Sequence, residues 1–177
     1  MVIRKAAEGD IEAVAKLYED IHTAEEMGKV TTGWVRGVYP VRATAEMAVK
    51  RKDLFVLEDD GGIRGAGIIN GAQDESYRQA NWQYPAADTQ VCVLHTLAVS
   101  PAHSGKGYGR AFLAFYEQYA RQTGRMALRL DTNVKNTAAR AMYAKHGYRE
   151  IGIVPTQFQG IPDVKLVLLE KHLWKKP

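Results

Sequence analysis

Two periods of apolar spacing alternate along this chain, and they predict alternating strands and helices. Residues 2–6 read as a short first strand. Gly9-Asp10 then supplies a turn and an N-cap, and Ile11, Val14, Leu17 and Ile21 recur at helical spacing. The pattern is lost over residues 22–42, which hold Gly28, Gly33, Trp34, Gly37, Tyr39 and Pro40 and predict a loop with a broken helix. Thr44 is placed to cap a short helix through Lys50. The apolar runs 54–58 and 63–70 flank Asp59-Asp60-Gly61-Gly62, the clearest hairpin signal in the chain. Residues 71–88 are polar with Tyr77, Trp82, Tyr84 and Pro85 interspersed, which predicts a long ordered loop or a short helix.

In the second half, an apolar strand over Val91–Val99 runs into a glycine-rich turn and then a helix over 107–123. Phe112, Phe115 and Tyr119 give that helix an apolar face, and Gly124 can end it. A strand over 126–130 follows. A helix over 136–146 then carries Ala139, Met142 and Tyr143 on one side, and two last strands cover 148–154 and 164–169. No internal repeat or linker interrupts the series. The reading is an α/β (α+β) protein with one domain over residues 1–177.

Composition narrows this picture. A chain of 177 residues, 46% hydrophobic and 25% charged, can bury a sizeable core and has the balance of a globular protein. No apolar run reaches membrane-span length, and Met1-Val2-Ile3-Arg4-Lys5 lacks a signal-peptide core, so a cytoplasmic location without a membrane partner is expected. The single cysteine, Cys92, excludes an internal disulfide and, inside an apolar strand, reads as a buried inert thiol. The net charge of +4 suits an anionic ligand, whereas no basic stripe points to nucleic acid. No metal site is expected.

The chemistry concentrates in Ser104-Gly105-Lys106-Gly107-Tyr108-Gly109-Arg110. A strand, a glycine turn and a helix start together offer backbone N–H donors and a positive dipole end to a phosphate. Three phosphate-bearing ligands compete. The ATP-binding P-loop needs Gly-Lys followed by Ser or Thr, and here Gly107 follows Lys106. The dinucleotide fingerprint fits Gly105-x-Gly107 and an acidic residue, Asp131, at the end of the next strand. Against it, Arg110 stands where its last glycine belongs, Pro101-Ala102-His103 delays the turn, and the 54–70 hairpin breaks the βαβ alternation. Coenzyme A is the third ligand.

The third reading rests on two blocks. Leu97-Ala98-Val99-Ser100-Pro101 followed by Ser104 to Gly109 resembles the acyl-CoA loop of the GNAT superfamily of N-acetyltransferases, whose form is Arg/Gln-x-x-Gly-x-Gly/Ala. Asn136 to Tyr148 is similar to that superfamily's later Asn-x-x-Ala-x-x-Leu/Met-Tyr-x-x-x-Gly-Phe/Tyr pattern. The resemblance implies a mixed, mostly antiparallel sheet of about six to seven strands, splayed at the acyl-CoA site and flanked by about four helices. It implies acetyl-CoA as acyl donor, and it assigns cofactor contacts to Leu97, Ala98, Val99, Ser104, Gly105, Lys106, Gly107, Tyr108, Gly109, Arg110, Asn136, Ala139 and Tyr143. One position departs: Ser104 stands where the family has Arg or Gln, which leaves the pyrophosphate to backbone donors, with Lys106 and Arg110 supplying charge. A homodimer is a further implication.

The implied reaction moves acetyl from acetyl-CoA to a primary amine of a small metabolite or a protein. The amine, with a pKa of about 10.4, arrives protonated, and the leaving thiolate, of pKa about 8.5, benefits from an acid. Tyr143 is the candidate acid; its plain alternative is an aromatic on a buried helix face. His95, which interrupts an apolar strand, is the candidate base. The stretch around it is similar to that of the arylalkylamine N-acetyltransferases, which carry a second histidine where this chain has Val93. A hydrogen-bonded strand histidine is equally open, as is a carboxylate from 71–88, Asp88 or Glu75. Asn136 also reads as a helix N-cap, His103 as a solvated side chain and Asp131 as a strand-end residue. Trp34, Tyr39, Tyr77, Trp82 and Tyr84 could line an amine pocket or belong to the core. A dinucleotide-dependent oxidoreductase and a non-catalytic acyl-CoA-binding module are the rival functions.

Overall fold

Strand period and turn chemistry account for most of the architecture in the computed structural model, which describes residues 1–173. The elements are β1 (Val2–Lys5), α1 (Ile11–Glu26), α2 (Arg42–Arg51), β2 (Leu54–Asp59), β3 (Gly62–Asn70), β4 (Val91–Val99), α3 (Tyr108–Gln122), β5 (Ala127–Asn133), α4 (Thr137–Lys145), β6 (Arg149–Phe158) and β7 (Ile161–His172). The hairpin β2–β3 turns through Asp60 and Gly61, both at positive φ (49° and 69°), as a two-residue turn with the right-handed twist of its strands demands. Strand alternation buries both faces of β2. Leu54 and Val56 pack against Val14, Leu17, Tyr18 and Ile21 of α1, while Phe55 and Leu57 pack against Phe112 and Tyr116 of α3 on the other side.

The seven strands form one sheet in the order β1-β2-β3-β4-β5-β7-β6. Every pairing is antiparallel except β4 with β5. A dinucleotide-binding fold needs a mostly parallel, doubly wound sheet, so the dinucleotide reading fails on topology. The parallel ladder runs from Val91↔Ala127 to Leu94↔Leu130 and stops there. Beyond it β5 stays with β7 as far as Asn133↔Leu166, and β4 stays with β3 up to Val99↔Gly65 through an irregularity between Ala66 and Ile68. Thr96 lies at that irregularity with φ 51°, a left-handed conformation rare for a β-branched residue. The two strands therefore diverge and leave a gap in the sheet.

Several boundaries differ from those read in the sequence. The helix α1 continues past residue 21 to Glu26, and Thr44 is not the cap of α2 but its third residue, with Oγ1 accepting from the Val41 N–H at 3.1 Å. The last two strands are far longer than 148–154 and 164–169, and they join through Gln159 and Gly160 at positive φ (49° and 85°). Pro155 masks this hairpin in the sequence. It is tolerated because β6 is an edge strand. Residues 71–90 form an ordered loop with two 3-10 turns, Glu75–Gln79 and Asp88–Gln90. Among the described residues, no helix is long and apolar enough to cross a membrane.

Gly67 shows how tightly α3 lies on the sheet: a Cβ there would come within 2.7 Å of the Phe112 ring and 3.1 Å of Leu94. We expect Gly67→Ala to lower unfolding stability by about 1–3 kcal/mol in urea titration. Gly152→Ala on β6, where a Cβ meets nothing within 4 Å, should stay within about 0.5 kcal/mol of the parent.

Candidate active site

The glycine turn is shaped by backbone rather than by side chains. Gly105 and Gly107 both adopt φ 81°, and a Cβ on either would meet nothing within 4 Å. Their role is thus conformational, and it leaves the outer surface of the turn clear. The N–H of Ala111 makes the first helical bond, to the Gly107 carbonyl at 2.9 Å, so the N–H groups of Tyr108, Gly109 and Arg110 lack intrahelical acceptors. Tyr108 is buried and fastens this first turn to the β2–β3 hairpin, donating to Asp59 Oδ2 at 2.8 Å. Gly109 serves packing: a Cβ there would lie 2.7 Å from Met142 Sδ, so it lets α3 approach α4 closely.

From this turn a cleft of about 960 Å³ passes between α3 and α4, through the gap between β4 and β5, and out among Trp34, Tyr39 and Phe158. It is lined by Leu97, Val99, Ser104, Gly105, Gly107, Tyr108, Gly109, Arg110, Asn136, Ala139 and Tyr143, all residues singled out in the sequence. Two others stand apart. Ala98 is buried in the core beneath α1, and Lys106 is exposed and not part of the lining. Asn136 does cap α4, its Oδ1 accepting from the Ala139 N–H at 3.2 Å. Tyr143 is 5% exposed, and burial pushes its phenol well above the ordinary tyrosine range, so it stays protonated at any physiological pH.

The structure does not bring His95 to Tyr143. The histidine does not line the cleft, and its Nε2 lies 3.1 Å from Asn70 Oδ1. Burial lowers its pKa, which favours the neutral ring. Asp88 accepts from Gln73 at 2.8 Å, and neither it nor Glu75 reaches the cleft. Cys92 is buried, with burial lifting its thiol to about 11.

Beyond the gap the cleft is aromatic. Trp34, Tyr39 and Phe158 meet edge to face, with ring centroids 6.3 and 5.5 Å apart, and the Tyr39 hydroxyl bonds Thr96 Oγ1. The loop bearing Trp34 is pinned by the Glu25 carboxylate, which accepts from the N–H groups of Thr32 and Gly33 at 2.6 and 3.0 Å. Trp34 and Tyr39 therefore do line a pocket. Of the other aromatics considered, Tyr77, Trp82 and Tyr84 do not. Trp82 stacks on the Arg129 guanidinium at 4.0 Å, and Tyr84 packs against His172. Tyr77 lies behind Asp131 and donates to its Oδ2 at 2.7 Å. Asp131 lines the cleft at the first β5 position past the end of the parallel ladder. Burial lifts its carboxyl to about 6, opposed by the bond from Tyr77 and reinforced by Asp74. An acid ending an apolar strand was the sequence signal for this residue, but only the split in the sheet places it on the cleft.

A cleft that leads from an anion-binding turn through a divided sheet to a buried phenol is the arrangement of an acyltransferase, not of a dehydrogenase, whose cofactor lies across the ends of parallel strands. The chain belongs to the acetyltransferase (GNAT) family, whose model matches residues 12–148. It is 27% identical to a streptothricin acetyltransferase of Streptomyces lavendulae over 171 residues, covering 89% of this chain and 86% of that protein. Two solved structures share the fold. One is a GNAT-family acetyltransferase of Streptococcus agalactiae (TM-score 0.80, 22% identity, 98% of this chain and 96% of that one). The other is yncA of Salmonella typhimurium, solved with its cofactor acetyl-CoA (TM-score 0.69, 18% identity, 100% and 96%). The protein is an acyltransferase with acetyl-CoA as donor and an amine as acceptor.

The turn's geometry makes a direct prediction. Gly107→Val, which forces a β-branched side chain to φ 81°, should weaken acetyl-CoA binding by about tenfold or more in calorimetry. Gly124→Val at φ 71°, at the far end of α3, carries comparable strain and should leave that affinity unchanged.

Proposed function

We propose that residues 1–177 form one cytoplasmic N-acetyltransferase domain that moves acetyl from acetyl-CoA to a primary amine by direct attack within a ternary complex. The observation that carries this reading is the continuous cleft: the glycine turn, Tyr143 and the aromatic lobe open into one chamber through the gap in the sheet. Donor and acceptor can then meet without a covalent enzyme intermediate. The one buried cysteine, with its raised pKa, offers no rival nucleophile. A reducing compartment accords with that free thiol.

The donor supplies an activated acetyl group and a thiolate leaving group of pKa about 8.5. The chain's residues do the rest. Free N–H groups of the glycine turn, with Arg110 beside them, hold the pyrophosphate although Ser104 contributes no long side chain. Past Leu94 the edge of β4 facing the gap has no strand partner, so backbone donors near Leu97 and Val99 are available to a carbonyl oxygen as charge develops on it. Tyr143, a protonated phenol at the gap, gives its proton to the departing sulfur. The acceptor is a small molecule or an exposed protein amine that enters between Trp34 and Phe158. Streptothricin, from the name of the relative that matches most of this chain, is the first compound to try.

Thiol release from acetyl-CoA across a panel of amines, streptothricin included, tests this reading. Turnover that depends on the amine is expected. Tyr143→Phe should lower kcat by about 10- to 100-fold while acetyl-CoA affinity changes by less than about twofold. A panel without turnover, or an unchanged kcat in the variant, would contradict the assignment.

A further inference from the structure

The residues lining the cleft are unevenly charged. The lining cations are Arg110 on α3 and Lys145 on α4, suited to a phosphorylated donor, and Lys29 on the loop after α1, which forms no ion pair with Asp131. Among the described lining residues, Asp131 is the one carboxylate, and it sits where the cleft crosses the sheet. Its Oδ2 accepts from the Tyr77 hydroxyl at 2.7 Å, and no described residue donates to Oδ1 or forms an ion pair with the group. The ionisable groups that act on it or respond to it are Tyr77 and Asp74 from the 71–90 loop, Tyr39 from the loop before α2 and Tyr143 from α4. β7 presents Leu168 opposite it. None of these is a cation. A half-buried carboxylate without a resident counter-ion, faced by the aromatic rings of Trp34, Tyr39 and Phe158, is a receptor for a positive charge brought by a ligand.

We propose that Asp131 is a catalytic residue that seats the acceptor as an ammonium ion and takes its proton, with Tyr77 as the positioning residue behind it. The acceptor class that follows is a compact cationic amine whose carbon frame packs on the aromatic trio. This deepens the acetyl-transfer reading and rests on it. The step balances. Asp131 removes one proton from the ammonium and frees the nitrogen lone pair. The N–C bond forms as the C–S bond breaks, and the bonding pair leaves with sulfur. Tyr143 protonates that sulfur and recovers a proton from the newly acylated nitrogen, while Asp131 releases its own to solvent.

The active form has Asp131 ionised. With its carboxyl lifted to about 6, kcat/KM should rise with pH through that value and then level off. Tyr77→Phe removes the bond that lowers the Asp131 pKa, so the acid limb should move up by on the order of one pH unit. Asp131→Asn should lose the limb and reduce kcat/KM by about 100-fold or more, with acetyl-CoA affinity kept within about twofold. The profile is measured on the best amine from the thiol-release panel. In parallel, the Asp131 carboxyl carbon is titrated by NMR in parent and Tyr77→Phe proteins, which needs no acceptor. Should Asp131→Asn fail to fold, the shift in Tyr77→Phe decides. Amine-dependent turnover with an acid limb untouched by both substitutions would overturn the role of Asp131 and leave the acetyl-transfer reading intact. No turnover with any amine would overturn that reading and this one with it.

Discussion

Hydrogen bonding between β4 and β5 ends at Leu94 and Leu130 although both strands continue, and the rest of the molecule is arranged around that interruption. Below it the strands are held together. The Tyr116 hydroxyl lies 2.6 Å from the Cys92 carbonyl on β4 and 3.2 Å from the Arg129 carbonyl on β5, a clasp at the closed end of the split. Above it each strand follows its other neighbour, β3 or β7. The backbone groups that would have paired across the sheet have no strand partner on that side.

Such a gap costs stability. Thr96 holds a left-handed conformation that disfavours a β-branched residue by about 1–2 kcal/mol. The packing on both faces offsets this: α1 and α2 cover one side of β2–β4 and α3 covers the other. The bond from Tyr39 to Thr96 ties the strained residue to the aromatic lobe, so the same contact that steadies the split also shapes that end of the cleft. Arg110 and Lys145 line the cleft on α3 and α4 and Lys29 on the loop after α1, while the carboxylate of Asp131 lies at the crossing point.

The glycine-turn half of the cleft was legible in the sequence and the aromatic half was not, for a physical reason. An anion-binding turn is a local object. Gly105 and Gly107 must adopt positive φ, and a helix must follow, so spacing alone reveals it. Tyr143 and Asn136 belong to one helix and are found by its period. The aromatic lobe is built by long-range contacts instead. Trp34 reaches it because Glu25 pins the 28–41 loop, and Phe158 reaches it on a hairpin that Pro155 hides. His95 interrupts an apolar strand, which leaves it open between a base and a hydrogen-bonded strand histidine; its Nε2 bonds Asn70 and it is not among the residues that line the cleft. Asp131 looked like a strand end because nothing local reveals that its parallel neighbour has already departed.

In the proposed reaction, donor and acceptor meet through the divided sheet. A crystal structure with acetyl-CoA bound tests it most directly. The pyrophosphate is expected on the N–H groups of residues 105–110 and the thioester inside the gap, beside the Tyr143 hydroxyl and open to the lobe of Trp34, Tyr39 and Phe158. A thioester lying outside the gap, with β4 and β5 closed against each other beyond Leu94 and Leu130, would contradict it.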